Sequence, residues 1–487
     1  MSAAGSSATT PIIPGFYPDP TICRVGEDYY LANSSFEYFP GAPIFHSRDL
    51  VTWTQIGNIL TRRSQFIEGQ SRPSMGIYGS TLRHHDGTFY FVTTNVSDYG
   101  SGQVLVTATD PSGPWSEPVF IRGAIGIDPD LCWDDDGECL LTFKHLDFDA
   151  GTAGIMQAIL NTATGELVSP LSPVWQGTGA AHAEGPHLYR VGPWWYLLLA
   201  EGGTERGHSV TVARSHSPAG PFEPGPANPI FTRRSTAEPV QSVGHADLVT
   251  TPDGTWAMVH LGTRPRGSTP GFHVLGRETF LAAVTWDDAW PQVHADGFAI
   301  PAIDTAFVED FADPSLDPRW VVPAGELDEI TFSHRGATIP AGRFLCVRCR
   351  DLRWRAQALI DHGAFELRMD PKHALGVRVE GSLAQAYLRL QDVTTVLGEV
   401  TVDPGCVMLT IAALDPGGPP LMLGDAGPDD IALGVVLAGE PVELARFDGR
   451  YLSTEVAAGF TGRVLAVGSA DVDTRVGSVT YSPLSEP

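Results

Sequence analysis

The sequence predicts an all-β protein: a five-bladed β-propeller followed by a β-sandwich of the concanavalin or jelly-roll type. Two patterns indicate this fold. Short strand-like runs recur after glycine turns through the first 300 residues, and a different alternating pattern takes over from residue 307. We therefore expect residues 1–300 to form the propeller domain and residues 301–487 to form the sandwich domain.

The propeller prediction depends on five hairpin-like runs. They are "GEDYYLA" from Gly26, "DGTFYFV" from Asp86, "DGECLLT" from Asp136, "GPWWYLL" from Gly192 and "DGTWAMV" from Asp253. A glycine turn before a run of aromatic and apolar residues is typical of a β-hairpin. Repetition every 50 to 61 residues indicates propeller blades.

The sandwich prediction depends on the second pattern. Runs such as "GAFELRMD", "ALGVRVEG" and "AQAYLRLQD" alternate apolar and polar residues, with glycine and proline between them. Such alternation is typical of antiparallel strands with one buried face.

The propeller repeat also brings five residues into alignment. Eleven residues before the apolar positions of the five runs stand Asp19, Tyr78, Asp128, Glu184 and His245. The inner strands of a propeller run side by side around one axis, so equivalent positions converge at one end of the channel. An aspartate before a proline is by itself a common turn element. The coincidence at equivalent positions instead indicates a site.

Prolines flank Asp19 in "FYPDPTI". A residue that precedes proline favours extended backbone, so we expect Asp19 to be extended and held stiffly where the chain enters its strand.

Three converging carboxylates suit the hydrolysis of a glycosidic bond. One protonated carboxyl group can give its proton to the leaving oxygen while another acts on water or attacks directly. A third carboxylate beside the acid raises its pKa by repulsion between like charges. The rings of Tyr78 and Phe36 suit the wall of such a pocket, because sugar rings have apolar faces.

The segments "GFYPDPTIC", "GIDPDLCW", "AEGPHLYR", "VGHADLV" and "LGRETF" resemble family 43 glycoside hydrolases. The similarity is to the β-xylosidase and α-L-arabinofuranosidase members that carry a C-terminal β-sandwich. It implies a five-bladed propeller and a reaction that inverts the anomeric configuration.

The resemblance also implies roles for individual residues. Asp19 would be the general base, Glu184 the general acid, and Asp128 the residue that tunes and orients the acid. Arg277 would hold sugar hydroxyl groups, and His245 would lie beneath the pocket. In some members this histidine faces a calcium ion and in others water, so a structural calcium near His245 stays open, while no cofactor is required.

One stretch departs from the family pattern. Members usually carry an aromatic residue followed by Ala-Pro in the second blade, whereas this chain has Gly79 and Ser80 after Tyr78. We expect the change to alter the pocket wall and the choice between xylose and arabinose, and to leave the core chemistry intact.

Composition excludes several classes of partner. The chain has 487 residues, a formal net charge of -26 and no basic cluster, which argues against nucleic acid. The apolar run "WWYLLLA" is too short to span a membrane, and no secretion signal is recognisable, so a cytoplasmic location is expected unless a leader has been removed. The pair in "CVRC" is expected to be structural thiols rather than a metal site. Whether the protein forms a homo-oligomer stays open.

Three functions are compatible with these observations. The first is an exo-acting, inverting β-xylosidase on xylo-oligosaccharides, with α-L-arabinofuranosidase activity beside it. The second is an enzyme that acts mainly as an α-L-arabinofuranosidase on arabinoxylan side chains. The third, of another class, is a propeller that binds sugar without hydrolysing it.

Overall fold

The computed structural model describes residues 5–66, 72–146, 153–313, 315–323, 327–417 and 427–485. Strands dominate these ranges, which contain a single short α-helix, α1 (Thr454–Ala457), and three 3₁₀ turns, Tyr99–Ser101, Leu327–Glu329 and Gly449–Leu452. Within the same ranges, no helix has the length and apolar character needed to cross a membrane. The prediction of an all-β protein is confirmed.

The chain divides into two compact units. The first comprises residues 1–13, 17–263 and 278–302. The second comprises residues 14–16, 264–277 and 303–487. Two short segments from the first 300 residues, 14–16 and 264–277, thus belong to the second unit.

The first unit contains five antiparallel sheets of four or five strands and one two-stranded pair, β1 with β24. The five sheets are β2 to β5, β6 to β9, β10 to β14, β15 to β19 and β20 to β23. Their bounds are β1 (Gly5–Ser6), β2 (Thr21–Val25), β3 (Asp28–Ala32), β4 (Gly41–Ser47), β5 (Thr54–Leu60), β6 (Ile77–His85), β7 (Thr88–Asn95), β8 (Gln103–Ala108), β9 (Val119–Ile121), β10 (Gly126–Trp133), β11 (Cys139–Leu146), β12 (Ala153–Asn161), β13 (Glu166–Leu167), β14 (Ser172–Trp175), β15 (Glu184–Val191), β16 (Trp194–Glu201), β17 (Ser209–Ser215), β18 (Glu223–Pro224), β19 (Phe231–Thr232), β20 (Gln241–Thr250), β21 (Trp256–Thr263), β22 (Glu278–Asp287), β23 (Trp290–His294) and β24 (Ala299–Ile300).

The first strands of the five sheets form a closed ring. Strand β2 contacts β6, β6 contacts β10, β10 contacts β15, β15 contacts β20, and β20 contacts β2. Apolar side chains fill the spaces between neighbouring sheets. Leu31 of the first sheet packs with Val259 of the fifth, and Leu141 of the third packs with Leu105 of the second. The ring brings equivalent positions of the five sheets together.

A buried ionic network joins all five first strands. Arg83 on β6 donates to Asp130 on β10 at 2.9 Å and to Asp247 on β20 at 2.8 Å. Asp247 also accepts from the Thr21 hydroxyl on β2 at 2.8 Å and from the Tyr189 hydroxyl on β15 at 2.5 Å. Both carboxylates are fully buried. Because a buried charge is costly without a partner, these contacts fix the register of the ring.

The second unit contains an eight-stranded and a six-stranded antiparallel sheet. In the six-stranded sheet the order is β28, β37, β30, β31, β32, β33. The strands of the unit are β25 (Phe307–Glu309), β26 (Thr331–Ser333), β27 (Gly336–Ile339), β28 (Arg343–Arg348), β29 (Trp354–Ile360), β30 (Gly363–Asp370), β31 (His373–Glu380), β32 (Leu383–Leu390), β33 (Val393–Thr401), β34 (Val407–Leu414), β35 (Asp430–Leu437), β36 (Glu440–Asp448), β37 (Val464–Ser469) and β38 (Thr474–Pro483).

The two cysteines of "CVRC" lie in this second unit. Cys346 and Cys349 are both buried and neither forms a disulfide. Burial raises the pKa of the Cys349 thiol well above its ordinary value, so the thiol is protonated and unreactive at neutral pH.

Candidate active site

Three of the five aligned residues share an uncommon backbone conformation. Asp19, Asp128 and His245 have φ values of 52°, 55° and 46°, in the left-handed region that non-glycine residues seldom adopt. The prediction that the prolines keep Asp19 extended is therefore wrong, and Asp128, which also precedes a proline, behaves in the same way. Conformations of this kind persist where the surrounding structure enforces them, often at functional sites.

β-Bulges produce this geometry within the first strands. The ladder between β10 and β11 shifts register between Ile127 and Asp130, around Asp128. The ladder between β20 and β21 shifts between Gly244 and Asp247, around His245. A bulge bends its strand and re-aims a side chain that would otherwise follow the pleat. Asp128 and His245 thus project from interruptions in the ladder, whereas Asp19 lies just before strand β2.

Asp19 is buried and held from two directions. Its Oδ2 accepts a hydrogen bond of 2.7 Å from the Ser34 hydroxyl, and its Oδ1 lies 3.6 Å from Nδ1 of His245. The backbone before it is fixed by Asn33, whose amide donates to the carbonyls of Tyr17 and Pro18 at 2.9 and 3.0 Å. Asp19 is 4% exposed, so it has little freedom to move.

Asp128 is tied to the backbone beside Glu184. Its Oδ2 accepts a hydrogen bond of 3.1 Å from the backbone N–H of Gly185. A methyl group placed on Gly79 would lie 2.4 Å from Asp128 Oδ1 and 2.9 Å from Cε1 of His245. The absence of a side chain at Gly79 therefore makes the space that these two groups occupy. The departure from the family pattern lies directly against the candidate catalytic groups, and not only on the pocket wall as expected.

Glu184 begins strand β15 and is paired with a lysine that the sequence did not indicate. Nζ of Lys144, on β11, lies 3.0 Å from Glu184 Oε2, and the lysine side chain is only 5% exposed. The residue types of "LTFKHL" fit an ordinary strand, so no pattern in the sequence distinguishes Lys144 from a surface lysine. Ser34 and Asn33 escaped notice for the same reason.

Burial and neighbouring charges raise the pKa of two of the three carboxyl groups. Burial, followed by the negative charge of Asp19, raises the pKa of Asp128 to about 6, although Lys144 opposes this shift. Burial and the charge of Asp128 raise the pKa of Glu184, and Lys144 lowers it in part. Glu184 therefore keeps its proton to a higher pH than an exposed glutamate does, as a general acid requires.

The two candidate wall aromatics lie side by side. The rings of Phe36 and Tyr78 are 5.4 Å apart in an edge-to-face arrangement. Phe36 is almost fully buried, and the Tyr78 hydroxyl donates to the carbonyl of Ser74 at 2.9 Å. Their binding of a sugar stays a prediction.

Arg277 belongs to the second unit, at the end of its segment 264–277. It is 7% exposed, and its guanidinium carbon lies 5.5 Å from the centre of the Phe460 ring, also in the second unit. Its role in holding sugar hydroxyl groups stays a prediction.

The side chains around His245 do not form a calcium cage by themselves. Calcium takes six to eight oxygen ligands, whereas the ring of His245 offers nitrogen. Across the part of the chain that the structure describes, no group of three or more His, Cys, Asp or Glu side chains is arranged to hold a metal ion. A calcium ion there would need most of its ligands from water or substrate, and it stays a prediction.

A ring of antiparallel sheets that gathers a held carboxylate and two carboxyl groups of raised pKa is an arrangement suited to acid–base hydrolysis. Comparison with known proteins gives the family: the model of glycosyl hydrolases family 43 matches residues 8–291, and the chain belongs to this family. The resemblance inferred from the sequence is thereby confirmed.

Two relatives and one solved structure illustrate the similarity. A non-reducing-end α-L-arabinofuranosidase of Bacteroides ovatus is 44% identical over 301 residues, which cover 61% of this chain and 55% of that protein. A xylosidase/arabinosidase of Butyrivibrio fibrisolvens is 48% identical over 298 residues, which cover 59% of this chain and 56% of that protein. The structure of the Bacteroides ovatus xyloglucan PUL GH43B matches with a TM-score of 0.86 at 30% identity, over 98% of this chain and 99% of that one. The chain thus spans little more than half the length of the first two relatives.

Proposed function

We propose that the protein is an exo-acting, inverting glycoside hydrolase that releases xylose from the non-reducing ends of β-1,4-xylo-oligosaccharides. Activity on α-L-arabinofuranosides accompanies it. The observation that carries this proposal is the proximity of Asp128 and Glu184, two carboxyl groups of raised pKa, to an Asp19 held by Ser34 and His245. The names of the Butyrivibrio and Bacteroides relatives support both sugars.

The proposal includes the finer architecture. The closed ring of five sheets supports a five-bladed β-propeller, and the two antiparallel sheets of the second unit support a β-sandwich of the concanavalin or jelly-roll type. We assign the catalytic domain to residues 1–300 and the sandwich to residues 301–487, with segments 14–16 and 264–277 grouped with the second unit.

In the proposed mechanism each carboxyl group has one task. Glu184 donates its proton to the glycosidic oxygen as the bond to the anomeric carbon breaks. Asp19 takes a proton from water, and the water oxygen bonds to the anomeric carbon from the opposite face, which inverts the configuration. Asp128 raises the pKa of Glu184 and, through the N–H of Gly185, holds the backbone beside it. Tyr78 and Phe36 bind the sugar, and His245 supports Asp19.

A second function in the same class is an enzyme that acts mainly on arabinofuranosyl side chains. The specific observation that favours it is Gly79, where the chain departs from the family pattern beside Asp128 and alters the space around the sugar. A non-catalytic sugar-binding protein is disfavoured because burial and neighbouring charges raise the pKa of both Asp128 and Glu184, the direction that acid catalysis requires.

Hydrolysis of two nitrophenyl glycosides and of xylobiose by the wild-type protein and by Glu184→Gln tests the proposal. We expect the wild type to cleave nitrophenyl β-xyloside with a higher kcat/KM than nitrophenyl α-L-arabinofuranoside. Glu184→Gln should lose far more activity on xylobiose, whose leaving group needs a proton, than on the nitrophenyl xyloside. Saccharide binding without hydrolysis would overturn the proposal, and equal losses on both substrates would remove Glu184 from the role of acid.

A further inference from the structure

The second unit has a cleft on one face of its six-stranded sheet. Its volume is about 430 Å³, within the range of small-molecule sites. Every residue that lines it belongs to the second unit, and none belongs to the candidate active site. The residues that the following argument uses are Phe344, Glu366, Arg378, Glu380, Tyr387 and Arg389.

The strand register explains how the cleft forms. Glu366 on β30 is opposite Gly376 on β31, which is opposite Tyr387 on β32, so the three share one face of the sheet. A methyl group on Gly376 would lie 2.8 Å from the carbonyl oxygen of Phe365 and 3.1 Å from Cγ of Glu366. A side chain at position 376 would clash with Glu366, so Gly376 leaves the room that the Glu366 side chain occupies.

The buried carboxylate of Glu366 forms the floor of the cleft. Oε1 of Glu366 accepts hydrogen bonds from the Tyr387 hydroxyl and, at 2.8 Å, from Nη2 of Arg389. Its Oε2 is buried and has no hydrogen-bond donor among the residues that the structure describes, and Nη1 of Arg368 is 3.6 Å away. Glu366 is only 1% exposed. A buried acceptor atom that lacks a donor is costly, so the hydrogen bonds within the cluster do not satisfy Glu366 completely.

The walls carry charges of both signs. Arg378 donates to the side-chain oxygen of Gln385 at 2.9 Å and lies 3.9 Å from Glu380. Arg389, with 27% of its side chain exposed, completes one wall. The ring of Phe344 is held by the guanidinium of Arg368, 4.4 Å from its centre. Guanidinium and carboxylate groups around an aromatic ring suit a neutral ligand whose hydroxyl groups both donate and accept and whose ring has an apolar face.

We propose that this cleft is a second, non-catalytic binding site for a neutral oligosaccharide. The assignment of a pentose oligosaccharide rests on the proposed function, because the same substrate would occupy both sites. Because two arginines and the carboxylates of Glu380 and Asp471 line the same cleft, neither an anionic nor a cationic ligand meets walls of only the opposite charge. The cleft would keep a polymeric or branched substrate on the protein between successive cleavages.

A substitution that fills the cleft tests the proposal while leaving the buried cluster intact. Thr394 lines the cleft from strand β33 and is exposed, so Thr394→Trp adds bulk there without removing a buried contact. Thr395→Trp is the matched control, because the next residue along a strand is exposed on the opposite face. Both changes are made in the full chain carrying Glu184→Gln, and xylotetraose binding is measured by calorimetry.

The expected result is two xylotetraose molecules per chain for Glu184→Gln alone and with Thr395→Trp, and one with Thr394→Trp. A single bound xylotetraose in all three proteins would overturn the proposal. Binding of tetragalacturonate instead of xylotetraose at the second site would also overturn it. If both tryptophan variants have the melting temperature of Glu184→Gln alone, a loss of folding is excluded. Hydrolysis of nitrophenyl xyloside by wild-type protein reports separately on the proposed function.

Discussion

At the level of single residues, Glu184 is subject to two opposing charges. Burial raises its pKa most, Asp128 raises it further, and Lys144 lowers it from 3.0 Å. The pKa of Glu184 is therefore lower than burial and Asp128 alone would make it. Its pKa is a balance that either neighbour can shift, and each neighbour can be replaced by a neutral side chain of similar size.

The pair of variants Asp128→Asn and Lys144→Met should move the pH profile in opposite directions. The alkaline limb of kcat/KM reports the loss of the proton from the acid in the free enzyme. Removing the negative Asp128 lowers the pKa of Glu184 and moves the limb to lower pH. Removing the positive Lys144 raises that pKa and moves the limb to higher pH, each by about one unit.

The measurement is kcat/KM on xylobiose as a function of pH for both variants and the wild type. Movement of both limbs in the same direction would contradict the assignment. If the alkaline limb is unchanged in Asp128→Asn, Asp128 does not raise the pKa of Glu184, and its role is only to position Gly185.

We expect a methyl group at Gly79 to lower catalytic activity, because it would displace the Asp128 carboxylate. In Gly79→Ala the new carbon would lie 2.4 Å from Asp128 Oδ1, so this carboxylate must move. We expect kcat/KM to fall by about 10²-fold, since displacements near 1 Å have such effects. Gly57→Ala, where the nearest atom is 3.9 Å away, is the control. Equal activity of the two variants would show that Asp128 can move without consequence.

At the level of strands and sheets, the ring depends on Arg83 and its two aspartates. Burial alone would raise the pKa of Asp247, but the charge of Arg83, followed by that of His187, lowers it well below its ordinary value. Arg83 and its partners come from strands far apart in sequence. The network therefore stabilises the closed ring rather than any single hairpin.

Arg83→Met should lower the free energy of unfolding by about 3–5 kcal/mol, the usual cost of leaving a buried charge without its partner. Arg48→Met, which removes an exposed pair with Glu27, should cost less than about 1 kcal/mol. Because the pKa of Asp247 is lowered by folding, its contribution is complete above the unfolded value of about 3.9 and is lost as the pH falls towards the folded pKa. Urea unfolding at several pH values measures both effects. If Arg83→Met lowers the free energy of unfolding only slightly, and equally at every pH, this account is contradicted.

The same sheets show what the sequence could and could not predict. Glycine turns and aromatic runs predicted the second strand of each sheet, such as β7 and β16, because hairpin chemistry is local. The eleven-residue alignment found Asp128 and His245, yet it could not reveal their left-handed backbone, because a bulge depends on the neighbouring strand. Lys144 escaped notice because its importance comes only from contact with Glu184, 40 residues away.

At the level of the whole molecule, the central claim is that the base and the acid come from sheets that are not neighbours. Asp19 precedes β2, Glu184 begins β15, and β20 lies between these strands in the ring. An inverting enzyme needs its two carboxyl groups about 6.5–9.5 Å apart to admit a water, whereas a retaining enzyme brings them to about 5–5.5 Å. The intervening strand favours the wider spacing.

Proton NMR of the first turnovers on a β-xyloside tests this claim most directly, because the anomeric signal is read before mutarotation. If Asp19 activates water, α-xylose appears first, and Asp19→Asn is inactive even on a nitrophenyl glycoside. Ser64→Asn changes an exposed residue of the same unit and is the control; it should release the same anomer first as the wild type does. Initial release of β-xylose, or a glycosyl ester trapped on Asp19, would contradict the mechanism.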